Sequence, residues 1–314
     1  MKIIQIPFFC ATALVAPALP AGESATTALL QAVEARDLSA VETSLATGAN
    51  PNARVGNKSV LASLLGDDCH SAKPGMVYAL LQAGAVPEGL EEASYWERSV
   101  YAPYFSLKRG EKVTAAQAAA MMEQAVDIGA PVWAKMALEC GADPNGYCTG
   151  ESDPQREGYT YLYRAVFGGE CHYGDSLGTA RVLLQGGADP NKPNMDGRVP
   201  LQCWRCWKEQ MDILLEFGAD PMVISSEGKT TLMYAGTGEA VHALLAAGVP
   251  WGARDKAGKS ALWYALHSEY WGAARALLES APEDEAQYAR DLLHRHYRTN
   301  ARFPVKLFED VPGF

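Results

Sequence analysis

Pairs of adjacent leucines recur along the chain, at Leu80-Leu81, Leu183-Leu184, Leu214-Leu215 and Leu244-Leu245. Each pair ends an apolar stripe at helical spacing and is followed by a glycine, at Gly84, Gly187, Gly218 and Gly248. Glycine takes the left-handed conformation that closes a helix, and the proline that comes within three residues of it prevents the helix from resuming. After a short polar stretch the chain opens again with glycine and a small or hydroxyl residue before a new apolar run: Gly197 to Leu201, Gly228 to Leu232 and Gly258 to Leu262. Serine or threonine at such a place is a helix N-cap. The pattern therefore predicts a unit of turn, helix, short turn and helix.

The closing glycines belong to a repeated phrase. It reads Gly48-Ala49-Asn50-Pro51-Asn52, Gly84-Ala85-Val86-Pro87, Gly141-Ala142-Asp143-Pro144-Asn145, Gly187-Ala188-Asp189-Pro190-Asn191, Gly218-Ala219-Asp220-Pro221 and Gly248-Val249-Pro250. The glycines stand 36, 57, 46, 31 and 30 residues apart, a period of about 33 with insertions, which predicts stacked supersecondary units. In these residues the chain resembles the ankyrin repeat family, whose signature joins Gly-x-Thr-Pro-Leu-His-x-Ala to a later Leu-Leu-x-x-Gly-Ala-Asp. The likeness is clearest from Asp255 to Glu279 and good from Asp196 to Pro221 and from Glu227 to Pro250. It drifts over 26–52, 57–87 and 158–191, and the unit from Thr114 to Asn145 keeps only its second half.

The resemblance implies an all-α solenoid of about six to seven helix-turn-helix repeats with short hairpin turns, spanning 22–282. Residues 88–113 interrupt it with an aromatic insertion, Tyr95, Trp96, Tyr101, Tyr104 and Phe105, long enough for one helix and a loop. It reads as a local cover, or alternatively as a docking element for a partner. Residues 283–314 supply a capping helix, from Asp284 to Arg298 with Tyr288, Leu292 and Leu293 facing back, and a tail.

Composition narrows the setting. Met1-Lys2 and the apolar run to Ala21, broken by Pro7, Pro17 and Pro20, fit a signal peptide over 1–21 and a periplasmic or secreted protein. The three prolines argue against a spanning helix, and no later stretch is long enough to cross a bilayer. The net charge of -10 disfavours nucleic acid and anionic lipid as general partners.

Six cysteines follow that segment, and export permits disulfides. In the register the resemblance implies, Cys140 and Cys148 share a hairpin edge and form the first candidate pair, with Cys171 and Cys206 the second. Cys203 and Cys206 have the spacing of a redox dithiol, but Cys203 falls where the repeat buries an apolar side chain. The Cys69-His70 and Cys171-His172 pairs lie about two repeats apart, too far for one zinc site, so no metal is expected. No Ser/His/Asp grouping, phosphate loop or carboxylate pair suggests catalysis or a cofactor.

The resemblance implies binding through hairpin tips and the ends of the first helices. Those positions carry Lys58, Tyr159, Met195, Arg198, Lys229 and Lys259 at the tips and Phe167, Trp207 and His267 at the helix ends, with Trp96 and Tyr101 in the insertion. Such a basic and aromatic row suits another protein with an acidic surface. The expected function is a non-catalytic binding scaffold, with an inhibitor or immunity protein against a toxin as its specific form. A redox or stress-protection factor using Cys203 and Cys206, or a secreted host-directed effector, is the alternative.

Overall fold

The computed structural model describes residues 21–65, 73–93, 95–150, 154–167, 174–203 and 208–299, with Pro304 and Phe308. These residues are mostly helical, with fourteen α-helices and one two-stranded ribbon. The chain divides into two compact units between Ser94 and Tyr95.

The first unit contains α1 (Ala21–Glu34), α2 (Leu38–Ala46), α3 (Val60–Leu65) and α4 (Lys73–Gln82), with β1 (Arg54–Val55) and β2 (Lys58–Ser59) paired antiparallel in a hairpin. Helices α1 and α2 pack together, and α4 packs on α2 and α3. Leu29, Val41, Val60, Leu61, Val77 and Leu80 are buried between them. A short 3-10 turn, Leu90–Glu92, packs on α3.

The second unit opens with α5 (Tyr95–Lys108), α6 (Ala115–Ile128) and α7 (Pro131–Glu139). It continues with α8 (Tyr161–Phe167), α9 (Ser176–Gln185), α10 (Lys208–Glu216), α11 (Gly238–Ala246), α12 (Ala261–His267), α13 (Trp271–Glu279) and α14 (Ala286–Thr299). Two layers result. In one, α7 packs on α9, α9 on α10, α10 on α11 and α11 on α13. In the other, α6 packs on α8, which meets a 3-10 turn at Pro200–Gln202, then another at Thr231–Tyr234, then α12. The first element of two consecutive pairs is thus a 3-10 turn among the described residues, where the pattern predicts a helix. The two kinds of start differ in their caps: the Thr230 hydroxyl is buried without a hydrogen bond and does not cap, whereas Ser260 caps the Trp263 amide at 3.1 Å at the start of a helix.

The glycine that closes each second helix has positive φ as expected, from +85° at Gly218 to +94° at Gly187. The repeated phrase after it has a second use. The aspartate accepts the amide two residues on, at Asp143 (2.9 Å from the Asn145 nitrogen) and Asp189 (2.8 Å from Asn191), an Asx-turn that fixes the bend. The asparagine then clamps the following pair. Asn191 donates to the Gly218 carbonyl at 3.0 Å and accepts the Asp220 amide at 2.7 Å. Asn145 does the same to Gly187 and Asp189, and in the first unit Asn52 does so to Gly84 and Val86. The clamp ends at Met222, which has no side-chain amide, and the position opposite it is Pro250, which has no N–H.

Both ends of the second unit are covered. Helix α5 packs on α6 and α7 with Tyr101, Tyr104 and Phe105 fully buried, and the Trp133 indole donates to the Tyr101 hydroxyl at 3.4 Å. At the other end α14 packs on α12 and α13 through Leu292 and Leu293, with Tyr288 and Ser260 sharing a hydrogen bond of 3.1 Å. The expected signal segment, the Cys69-His70 and Cys171-His172 turns and most of the tail after Thr299 lie outside the described residues.

Candidate binding face

Three hairpin tips of the second unit are built alike. A short polar residue, Asn194, Ser225 or Asp255, accepts the backbone amide four residues later with its side chain, at 2.9, 3.1 and 2.8 Å. Its own amide donates to the carbonyl of that same later residue. Between them Gly197, Gly228 and Gly258 take φ near +80°. The clamped residue is in each case a cation: Arg198, Lys229 and Lys259. Its backbone is fixed by these bonds. The signal for the clamp was present in the chain as a short polar residue four positions before each cation, but it carries no meaning until the turn is folded.

Lys229 and Lys259 lie on aromatic rings supplied by the elements that open each pair, the first layer, made of α8, the two 3-10 turns and α12. The Lys259 ammonium sits 3.8 Å from the Trp263 ring centroid and 5.9 Å from that of Tyr264. Lys229 sits 4.9 Å from Tyr264 and 6.0 Å from Tyr234, bridging two successive units. Arg198 stands beside the Tyr163 hydroxyl without reaching hydrogen-bond geometry, and its charge also reaches Tyr234. Tyr163 stacks with Phe167 and meets Tyr159 edge-on at 4.9 Å, while Trp263 stacks on His267 at 3.8 Å. Cation–π contact of this kind is worth about 0.5–1 kcal/mol where exposed. It also removes rotamer freedom from long side chains before any ligand arrives.

Charge is distributed unevenly along the row. Lys229 is ion-paired with Glu227 at 2.5 Å, with its side chain 13% exposed against 62% for the glutamate. Burial acts to lower the Lys229 pKa, but hydrogen bonds to Glu227 and Tyr264 outweigh it and the net direction is upward. Burial would likewise raise Asp255. The Tyr264 hydroxyl, 2.6 Å away, together with the amides of Lys259 and Ala257, reverses that, and its carboxyl titrates below the usual range. Burial pushes the Tyr163 hydroxyl well above the usual tyrosine value.

No protein-family model matches the chain, and no curated protein matches its sequence. The assignment of function therefore stands on geometry.

Of the residues expected to meet a partner, Met195 and Phe167 are exposed, and Tyr159, Arg198 and Lys259 are half-buried on the row. His267 is exposed at its end, and Lys58 is exposed on the hairpin of the first unit. Lys229 is engaged by Glu227. Tyr101 corrects the expectation: it lies on α5, fully buried where that helix packs on α6 and α7, so this face of the insertion is a cover. Trp207 and the side chain of Trp96 lie outside the described residues, as do Cys171 and Cys206 and hence their expected bond.

The Cys140–Cys148 bond expected from the hairpin is not made, and both thiols are free. The two sulfurs occupy different surroundings. Cys140 caps α7 near Glu139 and Lys108. Cys148 turns inward beside Glu123, Asp127, Arg164 and Arg156. Burial, with Glu139 adding to it, raises the Cys140 thiol to about 11. Burial and Glu123 raise Cys148 to about 12. Both are protonated at neutral pH and poor nucleophiles. Around Cys148 lies a buried polar network: Glu123 accepts from the Thr149 hydroxyl and the amides of Thr149 and Gly150, and Asp127 pairs with Arg156 and Arg164. Thr149, Gly150 and Arg156 thereby tie their turn to α6 and Arg164 ties α8 to it, which makes the network structural. Cys203 is buried, 1% exposed, behind the Pro200–Gln202 turn. Among the described residues no three His, Cys, Asp or Glu side chains converge to hold a metal, and no helix is long and apolar enough to cross a membrane.

Proposed function

We propose that this protein is an exported ankyrin-like scaffold that binds another protein through the tip and first-layer face of its second unit, without catalysing a reaction. The observation that carries the proposal is the row running from Tyr159 and Phe167 through Arg198, Lys229 and Lys259 to Trp263 and His267. Aromatic rings and fixed cations presented together are the composition of interface hot spots. A partner with carboxylates on its surface would find both charge and apolar contact there. The ankyrin-like reading is supported by the repeated tip, helix-pair and positive-φ glycine of successive units. The specific form proposed is a periplasmic inhibitor or immunity protein that holds a toxin.

The test is capture of a partner from envelope extract and from extracts of competing strains, followed by titration with purified protein. Reversing charge at Arg198→Glu and Lys259→Glu together is expected to weaken that complex more than tenfold, with the thermal unfolding midpoint preserved. Unchanged affinity would sink the proposal. The binding reading is supported over redox exchange by the burial of Cys203; Cys206 lies outside the described residues.

A further inference from the structure

Within the row, Lys229 is held by a carboxylate of its own tip. Lys229 occupies the middle tip, held over Tyr264 and near Tyr234 on one side and ion-paired to Glu227 on the other. Glu227 belongs to the same tip as Lys229, with only Gly228 between them. Its amide is held by the Ser225 hydroxyl at 3.3 Å and its carbonyl by the Lys256 amide at 3.0 Å, so the backbone is fixed. Its side chain is 62% exposed, and the structure gives its carboxylate the Lys229 ammonium as an ion-pair partner. If the glutamate swings into water it is solvated again at little cost, whereas Lys229 stays on its aromatic bed. The pair is thus built to be opened from the glutamate side.

We infer that Glu227 is an internal competitor which covers the Lys229 ammonium in the free protein, and that a partner segment bearing carboxylates displaces it. The inference rests on the acidic-partner reading above and adds the form of the ligand. The cations occupy one position in three consecutive units, and packed elements repeat every ~8–10 Å. An extended segment in the polyproline II form rises ~3.1 Å per residue with three residues per turn, so every third side chain faces the same way. A segment lying across the tips therefore meets one cation about every third residue, and the fitting ligand is an extended acidic peptide with that spacing. Arg198 and Lys259 take its outer carboxylates, and Lys229 takes the central one as Glu227 leaves.

The probe is a fluorescent peptide of about twelve residues repeating Glu-Ser-Gly, titrated at low salt by anisotropy against the full chain. An exposed ion pair is a weak competitor, so Glu227→Gln is expected to tighten binding about two- to fivefold. The same gain should vanish in the Lys229→Gln background, because the competitor then has nothing to cover. Glu239→Gln, which removes an equal charge from the exposed first turn of α11, is expected to give no gain. The inference is overturned if Glu227→Gln leaves affinity unchanged, if Glu239→Gln matches it, or if the gain persists without Lys229. It is equally overturned if neither wild type nor Glu227→Gln binds the peptide, or if a single-stranded oligonucleotide binds more tightly. A captured protein partner that ignores Glu227→Gln but is lost on reversing Arg198 and Lys259 removes the competition alone. One that ignores all of these changes removes the acidic-face reading itself.

Discussion

Asn191 shows how a single side chain joins neighbouring units. Its amide makes one bond to the Gly218 carbonyl and one to the Asp220 amide, both near the surface. Water replaces such bonds when they are lost, so Asn191→Ala is expected to cost about 1–2 kcal/mol for the pair, read from the urea midpoint. A loss near zero would mean that the helices alone set the spacing. Asp255 acts within one tip. Its carboxyl is held below the ordinary aspartate range, because the Tyr264 hydroxyl and two amides overcome the effect of burial. A carboxylate depressed in the folded state stabilises it above the unfolded pKa near 4, and that contribution is lost as pH falls through the lower folded value. Stability of the wild type should therefore fall with acid below about pH 4. Asp255→Asn should be less stable at pH 7 and flatter in that window, as followed by thermal melts at several pH values.

At the scale of elements, the insertion teaches the most. Its aromatic content invites a docking role, and the periodicity of a 14-residue helix cannot say whether a ring faces solvent or a neighbour. Folding places Tyr101, Tyr104 and Phe105 against α6 and α7. Tyr101→Ala is expected to destabilise the second unit by about 3–5 kcal/mol, the usual cost of a large cavity. Hydrogen exchange of α6 and α7 should quicken before that of α12 and α13, since neighbours in a stack share stability locally. Uniform quickening would instead indicate one cooperative block. The 3-10 turns at Pro200–Gln202 and Thr231–Tyr234 are a quieter lesson. Their apolar spacing is helical, yet both stay tight and short, the second of them with Thr230 uncapped before it.

For the whole molecule, a net charge of -10 and a cationic row act on an acidic partner with opposite sign and different range. Repulsion between net charges is long-ranged and is screened first, with a Debye length of about 10 Å at 0.1 M salt. Contacts made on the row are short-ranged and are screened later. Affinity for an acidic partner is therefore expected to rise between about 0.01 and 0.1 M salt and to decline toward 1 M. A titration that weakens steadily from the lowest salt would put the attraction elsewhere.

The second helix of each pair, its closing glycine and the place of each tip were legible in the chain, because apolar period and backbone permissiveness are local properties that every unit restates. The final helix was legible for the same reason, through Tyr288, Leu292 and Leu293. The cationic row could be located residue by residue, though not its state. Whether Lys229 is open or covered depends on Glu227, on Tyr264 from the next unit and on the clamp at Ser225. The direction of Cys148, the burial of Tyr101 and the unmade bond to Cys140 were likewise decided only by folding. Sequence spacing determines which residues share a turn. Which of them touch across turns is set by packing between units, where residues distant in the chain compete for the same contacts.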